Sequence, residues 1–160
     1  MHGRLCAVRL YLPATLDDLR DGVLHLDVPR RAHAVTPALT ALLPDEDEEG
    51  VEFAAQLMAA DDALVLLAGT PSAPPLRLVV TVEVADDLVD DAPAGEDEPV
   101  SLVTLTGAPA ADEVVCVHVD EPEAAVQVAR ALDGDDAALE DLAERDLLWY
   151  DVTELGRIPR

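Results

Sequence analysis

Alternating Val and Leu strands interleaved with helix-period segments predict an α+β fold: a single sheet of about five strands with helices packed on one face, in β-α-β-β-β-α-β order. Three observations carry this. "LRLVVTVEVA" at 76–85 sorts its side chains with a period of two. "VEFAAQLMAADDALVLLAG" at 51–69 repeats Phe53, Leu57, Ala60, Leu64 and Leu67 at helical spacing. Further strand-like runs stand near both ends, so helical segments fall between strands, an order compatible with a ferredoxin-like arrangement.

"RLCAVRLYL" opens the chain as a strand that Pro13 closes. "ATLDDLRDGVL" offers Thr15 as an N-cap, Asp18 in the capping-box position and Gly22 as a stop, which predicts a short helix. Thr36 followed by Pro37 starts the next helix, and Pro44 ends it. The run "DEDEEG" then places acids at the positive end of the longest helix, with Gly69 at its C-terminus. After the strand at 76–85, residues 86–99 form an acidic segment containing Pro and Gly, expected to be a mobile hairpin loop. "VSLVTLT" and "VVCVHVD" supply two more strands. Asp120 is placed to cap a helix ending near Gly134, a second short helix follows, and "LLWYDV" is the last strand. The reading is one domain over 1–160 with a loose tail at 153–160.

Composition excludes several chemistries. The formal charge is -24, and all ten cations are Arg. Without lysine there is no phosphate-loop lysine and no Schiff base, and no GxGxxG loop appears, so no cofactor is expected. Such acidity also argues against nucleic acid as a partner, since that affinity comes from cations displacing counterions. The charge is concentrated: residues 1–44 hold five Arg and four acids, a net +1, which leaves -25 on residues 45–160. Mimicry of nucleic-acid charge is conceivable from this acidity, and no specific motif supports it. "MHGRLCAVRLYLPA" lacks the apolar core of a signal peptide, and "ALVLLAG" is too short to span a bilayer. No membrane association is expected. Cys6 and Cys116 form no CxxC and suit two buried thiols in a reducing, cytoplasmic setting.

Candidate sites are few. Cys116, His118 and Asp120 alternate along one strand, but ligands spaced in this way diverge, so no metal site is expected. Residues 45–56 imitate the start of a calcium loop and fail at position twelve, Gln56. Ser72 and Ser101 are the only serines, neither in a nucleophile turn, so no catalytic residue is assigned. If helices cover the Val and Leu side of the sheet, the opposite face stays open and carries Arg9, Tyr11, Arg77, Thr81, Glu83, Cys116, His118, Asp120, Trp149 and Asp151. Arg9, Tyr11, Arg77, His118 and Trp149 then form a candidate interaction face for another protein or for a second copy in a homodimer. The alternative is a small enzyme or anion-binding regulator built on Arg30, Arg31 and His33, where forked donors adjoin a helix start.

"RLYLPATL", "HAVTPAL", "EEGVEFAAQ", "VHVDEPEA" and "ERDLLWYDVTEL", in this order and spacing, resemble a family of small, uncharacterised actinobacterial proteins known only as a domain of unknown function. The resemblance covers most of the chain, least of all 86–99. It implies one domain with both chain ends central to it, and it transfers no activity and no catalytic residue. The Arg30–Arg31 pair is not expected from the family pattern, which lowers its weight as a site.

Overall fold

A computed structural model of the chain describes residues 6–91 and 97–159. Its strands are β1 (Ala7–Ala14), β2 (Leu19–Arg20), β3 (Val23–Leu24), β4 (Arg30–His33), β5 (Leu78–Ala85), β6 (Val89–Asp91), β7 (Leu102–Leu105), β8 (Val114–Val119) and β9 (Leu148–Asp151). Between them lie the helices α1 (Pro37–Leu42), α2 (Glu48–Ala68), α3 (Ala125–Leu132) and α4 (Asp136–Ala143). The fold is α+β, but the main sheet has seven strands rather than about five, in the order β6-β7-β4-β1-β5-β8-β9. Each neighbouring pair in it is antiparallel. Because β4 and β5 both run against β1, they are parallel to each other. The split β-α-β unit of this chain is therefore β4-α2-β5 with β1 inserted between, and β1 itself does not open it.

Local chemistry accounts for the helix starts. Thr36 accepts a hydrogen bond from the Leu39 N–H at 3.1 Å, and Pro37 takes the first helical position. Asp47 accepts from the Gly50 N–H at 2.8 Å, so α2 begins with Glu48 and Glu49 in its first turn. The helix expected after Thr15 is only a 3-10 turn, Leu16–Asp18. Beyond it Asp21 and Gly22 both adopt positive φ, 54° and 74°, and turn the chain into the β2–β3 hairpin. An Asp-Gly pair is a two-residue hairpin signal, and here it overrides the reading of Gly22 as a helix stop.

The layers differ from expectation. Helix α2 lies on the face carrying Tyr11 and Val79, over β4, β1 and β5. Its buried stripe is Val51 and small Ala55 and Ala59, which let the helix sit close to the strands. The more aliphatic face, with Leu10, Leu12, Val80, Val82 and Val117, is covered by Leu16 and Leu19 and by the C-terminal residues Leu155 and Ile158. Both faces of the sheet centre are thus closed, and β5 buries six of the eight residues Leu78–Ala85. Tyr11, Arg77 and Thr81 do not lie on an open surface. The supposed loose tail forms a 3-10 turn, Val152–Arg157, with Leu155 and Ile158 in the core. Within the acidic segment, Asp86–Leu88 form a 3-10 turn and Val89–Asp91 pair with β7 as β6, while 92–96 lie outside the described residues. Cys116 is buried as expected, but Cys6 is exposed.

One ion pair ties the α2 side together. Arg77, 4% exposed, donates from its backbone N–H, Nε and Nη2 to the Asp120 carboxylate at 2.8, 2.9 and 2.8 Å. Nη1 reaches the Leu142 carbonyl at 3.4 Å. Asp120 therefore does not cap the following helix; its oxygens are taken by the guanidinium, and α3 and α4 pack on the C-terminal end of α2 through Val128, Leu142 and Leu67. Removing one partner leaves the other charge buried alone. Asp120→Ala should lower stability by about 3–5 kcal/mol in urea unfolding, whereas the double replacement Arg77→Met with Asp120→Leu should restore most of that loss.

Candidate functional site

Strand alternation splits the arginine pair. Arg31 and His33 face α2, while Arg30 points to the other side of β4. The Arg30 guanidinium donates to the Pro13 carbonyl at 3.0 and 3.2 Å and to Asp18 at 2.9 Å. Arg31 donates to Asp62 at 2.9 Å and to Glu98 at 3.2 Å. Both guanidinia line a cleft of about 410 Å³, which is also lined by Asp17, Asp18, Asp27 and Asp62. Four carboxylates against two cations leave that cleft net negative, a poor environment for an anion.

His33 is fully buried between Asp62, at 2.8 Å from Nε2, and Ser101, at 2.7 Å from Nδ1. The Ser101 hydroxyl in turn lies 2.9 Å from the Met58 sulfur. Serine, imidazole and carboxylate stand in line, as a nucleophile, its base and an orienting acid would. Yet Ser101 and His33 are both fully buried, so no substrate reaches the hydroxyl. The line fastens α2 to β4 and to the start of β7. Burial opposes ionisation of Asp62, but hydrogen bonds from His33 and Arg31, with the Arg31 charge, outweigh it and hold the carboxyl below its ordinary 3.8. Asp62 escaped the sequence reading, which met Ser101 only as a serine outside any nucleophile turn. The one local signal was an acid seven residues beyond Ala55, at the edge of the buried stripe of α2.

The face proposed for interaction is reduced by α2 to a strip. In one cross-strand row Tyr11 pairs with His33 on one side and Thr81 on the other, Thr81 with Cys116, and Cys116 with Asp151. The next row runs Pro13, Val79, His118, Trp149. Helix α2 covers the first members of each row, which leaves Tyr11 only 4% exposed. Trp149, on the edge strand, is 58% exposed. His118 is half-buried beside it, and its Nδ1 is buried without a hydrogen-bond partner among the described residues. Arg9 remains at the surface in an ion pair with Glu83 at 2.6 Å.

At 100° per residue, Met58 and Asp62 occupy the flank of α2 turned towards β4 and Ser101. Phe53, Leu57 and Leu64 fall on the other side, and Leu64 packs with α3 and α4. Phe53 and Leu57, N-terminal to that contact, are 52% and 45% exposed. Phe53, Leu57 and Trp149 are thus large apolar side chains left exposed, the first two on α2 and the third on β9.

No group of three or more metal-ligating side chains is found among the described residues. Among them, too, no helix is long and apolar enough to cross a membrane. A family model described as "Family of unknown function (DUF6912)" matches residues 8–158. The chain belongs to this family. The DUF6912 match runs from β1 to Ile158, so it includes both the His33 network and the Trp149 strip. No curated protein and no solved structure matches the chain.

Burial makes the charged form of His118 costly and lowers its pKa from the ordinary 6.5. As pH falls the unfolded chain takes up this proton first, so stability from His118 is complete above about pH 6.5 and is lost below it. His118→Gln should flatten the decline of the urea midpoint just below that pH, and NMR titration of the imidazole should give a value under 6.5. Asp62 acts in the opposite pH range: its contribution is present above the ordinary 3.8 and disappears as pH drops through its lowered value. Asp62→Asn should therefore be less stable than the parent at neutral pH, with the gap closing in strong acid.

Proposed function

We propose that the protein is a non-enzymatic binding domain that docks another protein along β9 and the neighbouring strip of β8. The observation that carries this is Trp149, the chain's one tryptophan, more than half exposed on an edge strand. Trp is enriched among residues that dominate binding energy, because a rigid, amphipathic ring fills a partner pocket at little entropic cost. An edge strand adds unpaired backbone N–H and C=O groups to which an extended segment can bond.

Charge bears on the kind of partner. Asp146 and Asp151 flank the strand in a chain of net charge -24, which disfavours a second copy and favours a partner with a basic segment. The unpaired thiols Cys6 and Cys116 support a reducing, cytoplasmic setting. The buried Ser101–His33–Asp62 line and the carboxylate partners of Arg30 and Arg31 support a structural role for the groups from which an enzyme or anion site would be built.

Trp149→Ala should fold normally, since its side chain is largely in water, and should weaken capture of partners from native lysate by about tenfold or more. Val126→Ala, an exposed apolar residue on α3, serves as the control and should capture as the parent does. Capture that is the same for both variants would count against the β9 strip, and capture should also decline with added salt.

A further inference from the structure

We propose that a cleft on the side of the sheet away from α2 binds a small, neutral, aliphatic molecule carrying one hydrogen-bond acceptor. The cleft measures about 530 Å³ and lies between the β2–β3 hairpin, the turn before β8 and the C-terminal 3-10 turn. Its walls include Leu24, Leu26, Val114 and Leu155, which continue the main core cluster outward. Ala108 and Ala111 stand exposed at its rim. A concave site of this volume and apolar lining suits a ligand of roughly ten to fifteen non-hydrogen atoms.

Charge decides the ligand class. The chain has 34 acids in 160 residues, so a lining of eleven residues should contain about two, yet this one contains none. The clefts beside Arg31 and beside Arg20 all carry at least one aspartate. A cationic ligand finds no counter-charge in the acid-free lining, and an anionic one meets the field of a -24 chain. A neutral molecule escapes both penalties. The one polar side chain in the lining is His25, whose backbone N–H donates to the Asp18 carbonyl at 2.7 Å and whose ring has no hydrogen-bond partner among the described residues. A ring N–H can donate to a carbonyl, ether or hydroxyl oxygen at the mouth. The site is separate from the Trp149 strip, so either can fail alone.

The test titrates the full-length, methyl-labelled protein with 2-octanone, octanoate and octylammonium. The ketone should bind saturably at one site, shift the methyl signals of Leu24, Leu26, Val114 and Leu155, and bind at least about tenfold tighter than either charged analogue. Ala108→Phe and Ala111→Phe, which place a ring over the opening from exposed positions, should abolish the shifts while the melting temperature holds. Shifts that do not saturate, that centre on Leu57 and Leu148, or that are equal for the three head groups overturn the proposal, as does undiminished binding in either folded variant. The parent protein's shift map and head-group ratio decide the matter even where a variant does not fold.

Discussion

Everything in this molecule is arranged around the need to bury β1 and β5 on both faces without aromatic bulk. With Tyr11, Phe53, Trp149 and Tyr150 the only rings, the interior is Leu, Val and Ala, whose value lies in the area removed from water. An aliphatic sheet centre of this kind needs a cover on each side. Helix α2 closes one side with a stripe of small residues. The β2–β3 hairpin and the C-terminal turn close the other with Leu16, Leu19, Leu155 and Ile158. Polar groups caught between these layers are bound to one another: Arg77 to Asp120, and His33 to Asp62 and Ser101.

The same constraint explains where part of the sheet remains uncovered. One 21-residue helix spans three strands, β4, β1 and β5, and α3 and α4 rest on its far end. The strip of β8–β9 is left over, with Trp149 on it. The clefts beside Arg31 and beside Arg20 carry aspartates, whereas the one between the β2–β3 hairpin and the C-terminal turn is lined mainly by aliphatic residues.

Much of the architecture was legible. The period-two runs of β1, β5 and β8, the Thr36–Pro37 start, the long helix and the alternation that turns Trp149 away from Tyr150 all rest on local pattern. The choice of face did not, because ranking two faces by apolarity assumes that one is wet, and here both are dry. β4 and β6 are short and carry Arg or Asp, so they show no alternation and read as loop. The ring of His33 meets partners 29 and 68 residues away in sequence, and no local spacing announces such pairings. Asp120 illustrates the competition: a good capping residue was claimed by a buried guanidinium.

Chain order and spatial order disagree at β1. This strand precedes the others in sequence, yet it lies in the middle of the sheet, flanked by β4 and by β5, whose residues begin at Leu78. Its aliphatic side also packs against Leu155 and Ile158, far along the sequence from it. The sheet centre is therefore assembled through contacts distant in sequence rather than by growth from one end.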